Sequence, residues 1–282
     1  MNGILSYEFM QNALLSAILA SIVCGLIGPF IVTRRMVFIS GGLSHTAFGG
    51  LGIAYWLGKQ ELMFTIRPIY GATAFVLGAA LLLGSLEEKK LNQNDLFIGI
   101  LWAVGVAIGI VFVHMTPGYA PDLLSFLFGN ILTVSRTDVL IMLVIVLIVV
   151  MAVAIFYKGF VAIALDEEFA RARRLPVYRL KMGLTILTAL TIVTLIQVVG
   201  ILLVIALLTI PVAIASELSM NFRKIIVLSV ICGITICLLG LFISYYIEFP
   251  SGASIILIGG ILLIIVKTLK GISQRKKSAL VQ

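Results

Sequence analysis

At 282 residues, with 61% hydrophobic and only 11% charged side chains, the chain has a mean hydropathy of +1.21 and more apolar surface than one aqueous globule can hide. A water-soluble enzyme or nucleic-acid-binding domain is thereby excluded, although a net charge of +8 would suit the latter in a soluble chain. The solvent for most of the sequence is a bilayer, and its charge has to be read loop by loop.

A hydrocarbon core takes about 20 apolar residues in a helix. The first such run, 9–32, is long enough to span and has no basic segment before it, so it reads as a permanent helix rather than a signal peptide. Further runs cover 37–57, 66–86 and 96–114. Residues 121–130 are apolar but too short to cross, which predicts a short helix at the outer face bounded by Pro121 and Gly129. Spans follow over 137–157, 182–216, 225–247 and 251–266. The 182–216 run is too long for one crossing and has basic residues at both flanks, so it divides near Gly200 and the total is nine. Left undivided as a tilted helix, it would give eight.

The largest loop, 158–181, carries Asp166-Glu-Glu-Phe-Ala-Arg-Ala-Arg-Arg-Leu175, acids first and bases last, the order a helix dipole favours. A short amphipathic helix is expected over 166–175. With nine crossings, 17 of the basic residues, from Arg34 and Arg35 to Lys277, fall on one side, and only Lys59, Arg67 and Arg136 on the other. The positive-inside rule then places the N-terminus outside and the C-terminus in the cytoplasm. No repeat or second domain is evident, and residues 1–282 read as a single transmembrane domain.

Chemistry has few places to reside. All twelve Asp and Glu residues lie in loops or at span ends. A carrier coupled to protons or sodium usually keeps an ionisable group at mid-membrane, so the driving force is expected to come from outside the spans. No G-x-x-x-x-G-K-[ST] motif occurs, so ATP would have to be bound by a separate subunit; H-E-x-x-H and G-x-S-x-G are absent too. Transport rather than catalysis is expected. Cys24, Cys232 and Cys237 sit in apolar runs without C-x-x-C spacing and read as packing residues.

One strongly polar group lies within a span, His45 in Ser40-Gly-Gly-Leu-Ser-His-Thr-Ala-Phe-Gly-Gly50. It falls roughly 15 Å beyond Arg35, near the bilayer midplane. Gly41, Ser44, Thr46, Gly49 and Gly52 surround it with small side chains, which admit a partner backbone or leave room for a path. A neutral imidazole is a good ligand for zinc, manganese or iron. The competing reading is a histidine that hydrogen-bonds a neighbouring helix and carries nothing. His114, at the outer end of its span beside Met115 and Pro117, is the poorer candidate. On the 166–175 helix, Asp166, Glu167, Glu168, Phe169, Arg171 and Leu175 form a charged rim around apolar residues that suits a partner's groove, against the alternative of a solvated loop.

At these residues the chain resembles the zinc/manganese/iron permeases of ABC importers, from about Gln11 to Lys267. The pieces are Thr33-Arg-Arg-Met36 leading into the His45 segment, Asp95 with Ile98-Gly-Ile100, Asp122-Leu-Leu-Ser-Phe-Leu-Phe-Gly-Asn130, Leu165-Asp-Glu-Glu-Phe-Ala-Arg171, Val199-Gly-Ile-Leu-Leu-Val204 with Ile210-Pro-Val-Ala-Ile-Ala215, and Pro250-Ser-Gly-Ala253, in the family's order. The resemblance implies an all-α, type II importer-like permease in the bacterial cytoplasmic membrane. It further implies a homodimer docked to ATP-binding subunits and fed by an extracytoplasmic metal-binding protein, with no nucleic acid involved. It makes 166–175 the coupling helix, puts His45 on the metal route, and implies no resident cofactor, a divalent metal being the cargo. Gly41 and Asn130 stand where the family commonly has acids, which bears on the choice of metal. A metal chelate such as a siderophore, or a secondary metal carrier working alone, are the alternative functions.

Overall fold

The computed structural model describes residues 7–59, 68–86, 94–117, 129 and 131–279, and the regular structure among them is helical throughout. The helices are α1 (Glu8–Thr33), α2 (Val37–Lys59), α3 (Pro68–Leu86), α4 (Asn94–His114), α5 (Arg136–Leu165), α6 (Glu167–Ala172), α7 (Val177–Val199), α8 (Ile201–Leu218), α9 (Phe222–Ile247) and α10 (Ser251–Ala279). A 3-10 turn, Ile131–Thr133, precedes α5. All but α6 are long and apolar enough to cross a bilayer, so nine such helices occur among the described residues. Of the 121–130 segment only Gly129 is described, and the expected outer helix and Asn130 lie outside the described residues.

Contacts between helix ends show which ends share a face. On one face the Phe30 ring lies 5.0 Å from Phe222 and 6.0 Å from Phe160, Glu167 meets Arg34 and Lys181, and Lys270 Nζ lies 3.0 Å from Glu217 Oε2. On the other, Arg136 Nε lies 2.6 Å from Glu8 Oε1, Asn12 donates to the Val134 carbonyl, and the Ile131 amide donates to Ser251 Oγ. The described basic residues segregate accordingly, with Arg34, Arg35, Lys181, Arg223, Lys224 and Lys270 on the first face, which is therefore cytoplasmic.

Gly200 divides the long sixth run, as its flanking charges require. It caps α7 and opens α8 with φ +79 and ψ 165, a backbone state essentially restricted to glycine. The chain reverses there: α7 starts at the cytoplasmic face with Lys181, and α8 returns to it beside α1, where Gly28 packs on the Leu208 carbonyl.

Three expectations need correction. The last helix, α10, does not end at 266 but runs to Ala279. α5 does not stop at 157 but runs to Leu165, about 45 Å in all, so its inner end leaves the hydrocarbon. The cytoplasmic helix is also shorter than 166–175. Asp166 is its N-cap, its Oδ1 accepting from the Phe169 amide at 2.9 Å, and the helix closes after Ala172. The stop is a left-handed Arg174 (φ +57), with the Leu175 amide returning to the Ala170 carbonyl.

The buried core centres on α1, α2, α7 and α8, with Phe30, Leu43, Leu184, Ile192, Val204 and Leu208 fully covered. Outward faces of α4, α5 and α10 keep large apolar side chains such as Val111, Ile155 and Leu269 exposed, as lipid or another protein requires.

Candidate functional site

Helix α2 is clasped between α3 and α4, and glycine is what allows it. A Cβ on Gly49 would lie 2.8 Å from the Gly105 carbonyl oxygen, and one on Gly52 2.6 Å from that of Gly109. Towards α3, Gly50 and Gly71 meet backbone to backbone. Of the two uses open to this small-residue stripe, close packing and a path, the structure realises packing. The two helices run parallel, Gly42 level with Ile98 and Gly49 with Gly105, so His45 falls level with Trp102.

His45 is 7% exposed and stacks face to face on Trp102, with ring centroids 4.4 Å apart and planes at 19°. Gly41, one turn earlier, makes room for that indole, since a Cβ there would lie 3.1 Å from the ring. Neither imidazole nitrogen has a hydrogen-bond partner among the described residues. A buried polar group left unpaired is costly, which argues against a histidine that merely staples two helices. Stacking covers a ring face and takes up neither ring nitrogen, both of which are buried.

The hydroxyls expected beside it are satisfied by their own helix: Ser44 Oγ donates to the Ser40 carbonyl at 2.8 Å and Thr46 Oγ1 to the Gly42 carbonyl at 2.7 Å. His114 is exposed at the outer end of α4, about 18 Å along the helix from Trp102, and does not join the site. Among the described residues no group of three or more His, Cys, Asp or Glu gathers to hold a metal. Among the described residues the site therefore holds one imidazole stacked on one indole, with no carboxylate or thiol grouped beside it. Trp102 is the residue that sequence reasoning missed. Its one signal was position, a tryptophan in mid-span rather than in an interfacial belt.

At the cytoplasmic face, α6 divides its side chains. Glu168, Phe169 and Arg173 are exposed, with the Arg173 guanidinium 5.5 Å over the Phe169 ring. Ala170 is buried, and Leu175, expected to face a partner, is half-buried against this chain's own core. Glu167 also faces inward. Its Oε2 lies 2.6 Å from Lys181 Nζ and 3.8 Å from Arg34 Nη2, and its Oε1 accepts from Arg171 at 2.9 Å. Burial disfavours the Glu167 charge, but hydrogen bonds from Lys181 and Arg171 and the charges of Lys181 and Arg34 outweigh it and hold the carboxyl below its ordinary value of 4.5. The stabilisation this lowering reports is complete at neutral pH and is lost only as the pH falls through the lowered value.

A bundle of membrane-length helices with a buried histidine inside one of them and a short helix, α6, beside the basic face has the architecture of a transport permease. The chain belongs to the ABC 3 transport family, whose model matches residues 6–270. It is 42% identical over 257 residues to an uncharacterized membrane protein of Synechocystis, covering 91% of this chain and 89% of that one. To the manganese transport system membrane protein MntC of Listeria monocytogenes it is 36% identical, covering 94% and 92%. Among solved structures it is similar to PsaBC from Streptococcus pneumoniae in complex with Fab, with a TM-score of 0.82 and 32% identity, covering 94% of this chain and 93% of that one. The family resemblance read from the six sequence segments in their order is borne out.

Proposed function

We propose that this chain is the permease subunit of an ATP-driven importer in the bacterial cytoplasmic membrane, and that its cargo is a free divalent transition metal, manganese or zinc first and iron next. It works as a homodimer, takes the ion from an extracytoplasmic binding protein, and is driven by ATP-binding subunits seated on α6. The observation that carries the reading is His45, buried within a span with both ring nitrogens unpaired among the described residues, in a chain 36% identical to a relative named for manganese transport. One imidazole suits these ions as a donor. Because no carboxylate reinforces it among the described residues, an ion is passed on rather than trapped. The metal is cargo, and no resident cofactor is required.

No observation favours a chelate such as a siderophore. The small-residue faces of α2 that could have admitted a bulky ligand are filled by α3 and α4. The test is uptake into proteoliposomes holding the permease, its ATPase partner and its binding protein, with radiolabelled manganese and zinc offered free or as chelates. ATP-dependent accumulation of the free ion is expected. Accumulation of the chelate alone would overturn the proposal.

A further inference from the structure

We infer that Glu167 is a positioning residue for transport, a charged latch that ties α6 to the turn between α1 and α2 and to the start of α7. The inference rests on reading α6 as the docking helix of the ATP-binding partner. Glu167 uses its two oxygens for different purposes. Oε1 stays on its own helix with Arg171, whereas Oε2 reaches into the bundle, to Lys181 of α7 at 2.6 Å and to Arg34, the residue that caps α1, at 3.8 Å. The two bundle cations are well covered, with side-chain exposures of 6% for Arg34 and 10% for Lys181, so the cluster is little screened by salt.

The cluster sits where a displacement of α6 would enter the transport path. Arg34 opens the turn that starts α2: Arg35 is left-handed (φ +57), the Met36 amide bonds the Ile31 carbonyl at 2.8 Å, and Met36 is buried. α2 begins at the next residue and carries His45 about 12 Å further on. Lys181, in the first turns of α7, delivers the same displacement to the helix that ends at Gly200. Apart from this carboxylate, α6 holds the bundle mainly through Ala170 and, beyond its end, the half-buried Leu175, and covalently through Asp166 at the end of α5 and residues 173–176 before α7. A six-residue helix with so little apolar anchorage needs a directional tie if its motion is to be passed on. Glu167 provides one, while Phe169 and Arg173 on the opposite face are left for the partner.

The latch separates two roles that a docking helix otherwise merges: binding the ATPase, on the outward face, and transmitting its stroke, on the inward face. In the complete complex with ATPase and binding protein, Glu167→Gln is expected to assemble and hydrolyse ATP at close to the parental rate. Ions moved per ATP should fall about tenfold, a loss within the range found for coupling between linked sites. Glu167→Lys combined with Lys181→Glu re-forms the tie between α6 and α7 with its charges exchanged and should recover part of the ratio. Parental coupling in Glu167→Gln overturns the latch, as does loss of ATPase assembly in that variant, which would make Glu167 a docking contact instead. Should Glu167→Gln fail to accumulate in the membrane, the exchanged pair decides: recovered coupling supports the latch, and an expressed but uncoupled pair overturns it. Phe169→Ala tests the underlying reading separately. It should weaken co-purification with the ATPase, and unchanged assembly would remove α6 from the docking site whatever Glu167 does.

Discussion

A histidine in the membrane interior must be paired, neutral or in use, and His45 has no hydrogen-bond partner among the described residues. What it has is a stacked indole, which fixes the ring plane without consuming a nitrogen. With Trp56 replaced by phenylalanine, Trp102 becomes the only indole in the chain and reports directly on its neighbour. Cobalt or nickel, quenching analogues of the cargo, should then dim its emission in the assembled complex, and His45→Ala should abolish that dimming while impairing metal uptake and leaving assembly intact. Quenching that survives in His45→Ala would remove the imidazole from ion contact. His45 was legible in the sequence because it was the one basic side chain deep inside a span. Trp102 was not, because a stacking partner from another helix depends on how two helices align, and only the close glycine packing of α2 on α4 sets that register.

At the scale of elements, the helices were legible as lengths of apolar sequence, and their ends were not. Lys158 looked like the end of the fifth span, yet α5 continues to Leu165 because helical hydrogen bonding does not stop where lipid does. The glycines of α2 were visible as a stripe, but whether a stripe packs or opens depends on what faces it, which a single helix does not encode. The structure yields a direct contrast. Gly49→Ala forces a methyl to within 2.8 Å of the Gly105 carbonyl oxygen, whereas Gly78→Ala meets nothing within 4 Å. The first should cost about 1–3 kcal/mol, and the second should be neutral or slightly stabilising. Gly200→Ala should likewise cost about 1–3 kcal/mol, through its positive φ. Thermal unfolding in detergent checks all three; a Gly49→Ala variant as stable as Gly78→Ala would show that α2 and α4 can separate freely.

For the whole molecule, the distribution of lysine and arginine already placed the cytoplasmic face, and the ion cluster around Glu167 confirms that the ends of α1, α6 and α7 meet there. That same face was read as a partner surface throughout, whereas the folded chain turns Glu167 and Leu175 inward, a division that charge order along a loop cannot reveal. The larger consequence concerns energy. Every acid lies at a loop or a span end in the sequence, and among the described residues no carboxylate is buried, which is the pattern expected if, as proposed, the work arrives through the cytoplasmic face. The most direct test is uptake of manganese or zinc against a concentration gradient, in vesicles holding this chain alone or with its ATP-binding partner and binding protein. Accumulation is expected only in the complete, ATP-supplied vesicles; concentration of the ion by the lone chain under a proton or sodium gradient would contradict the account.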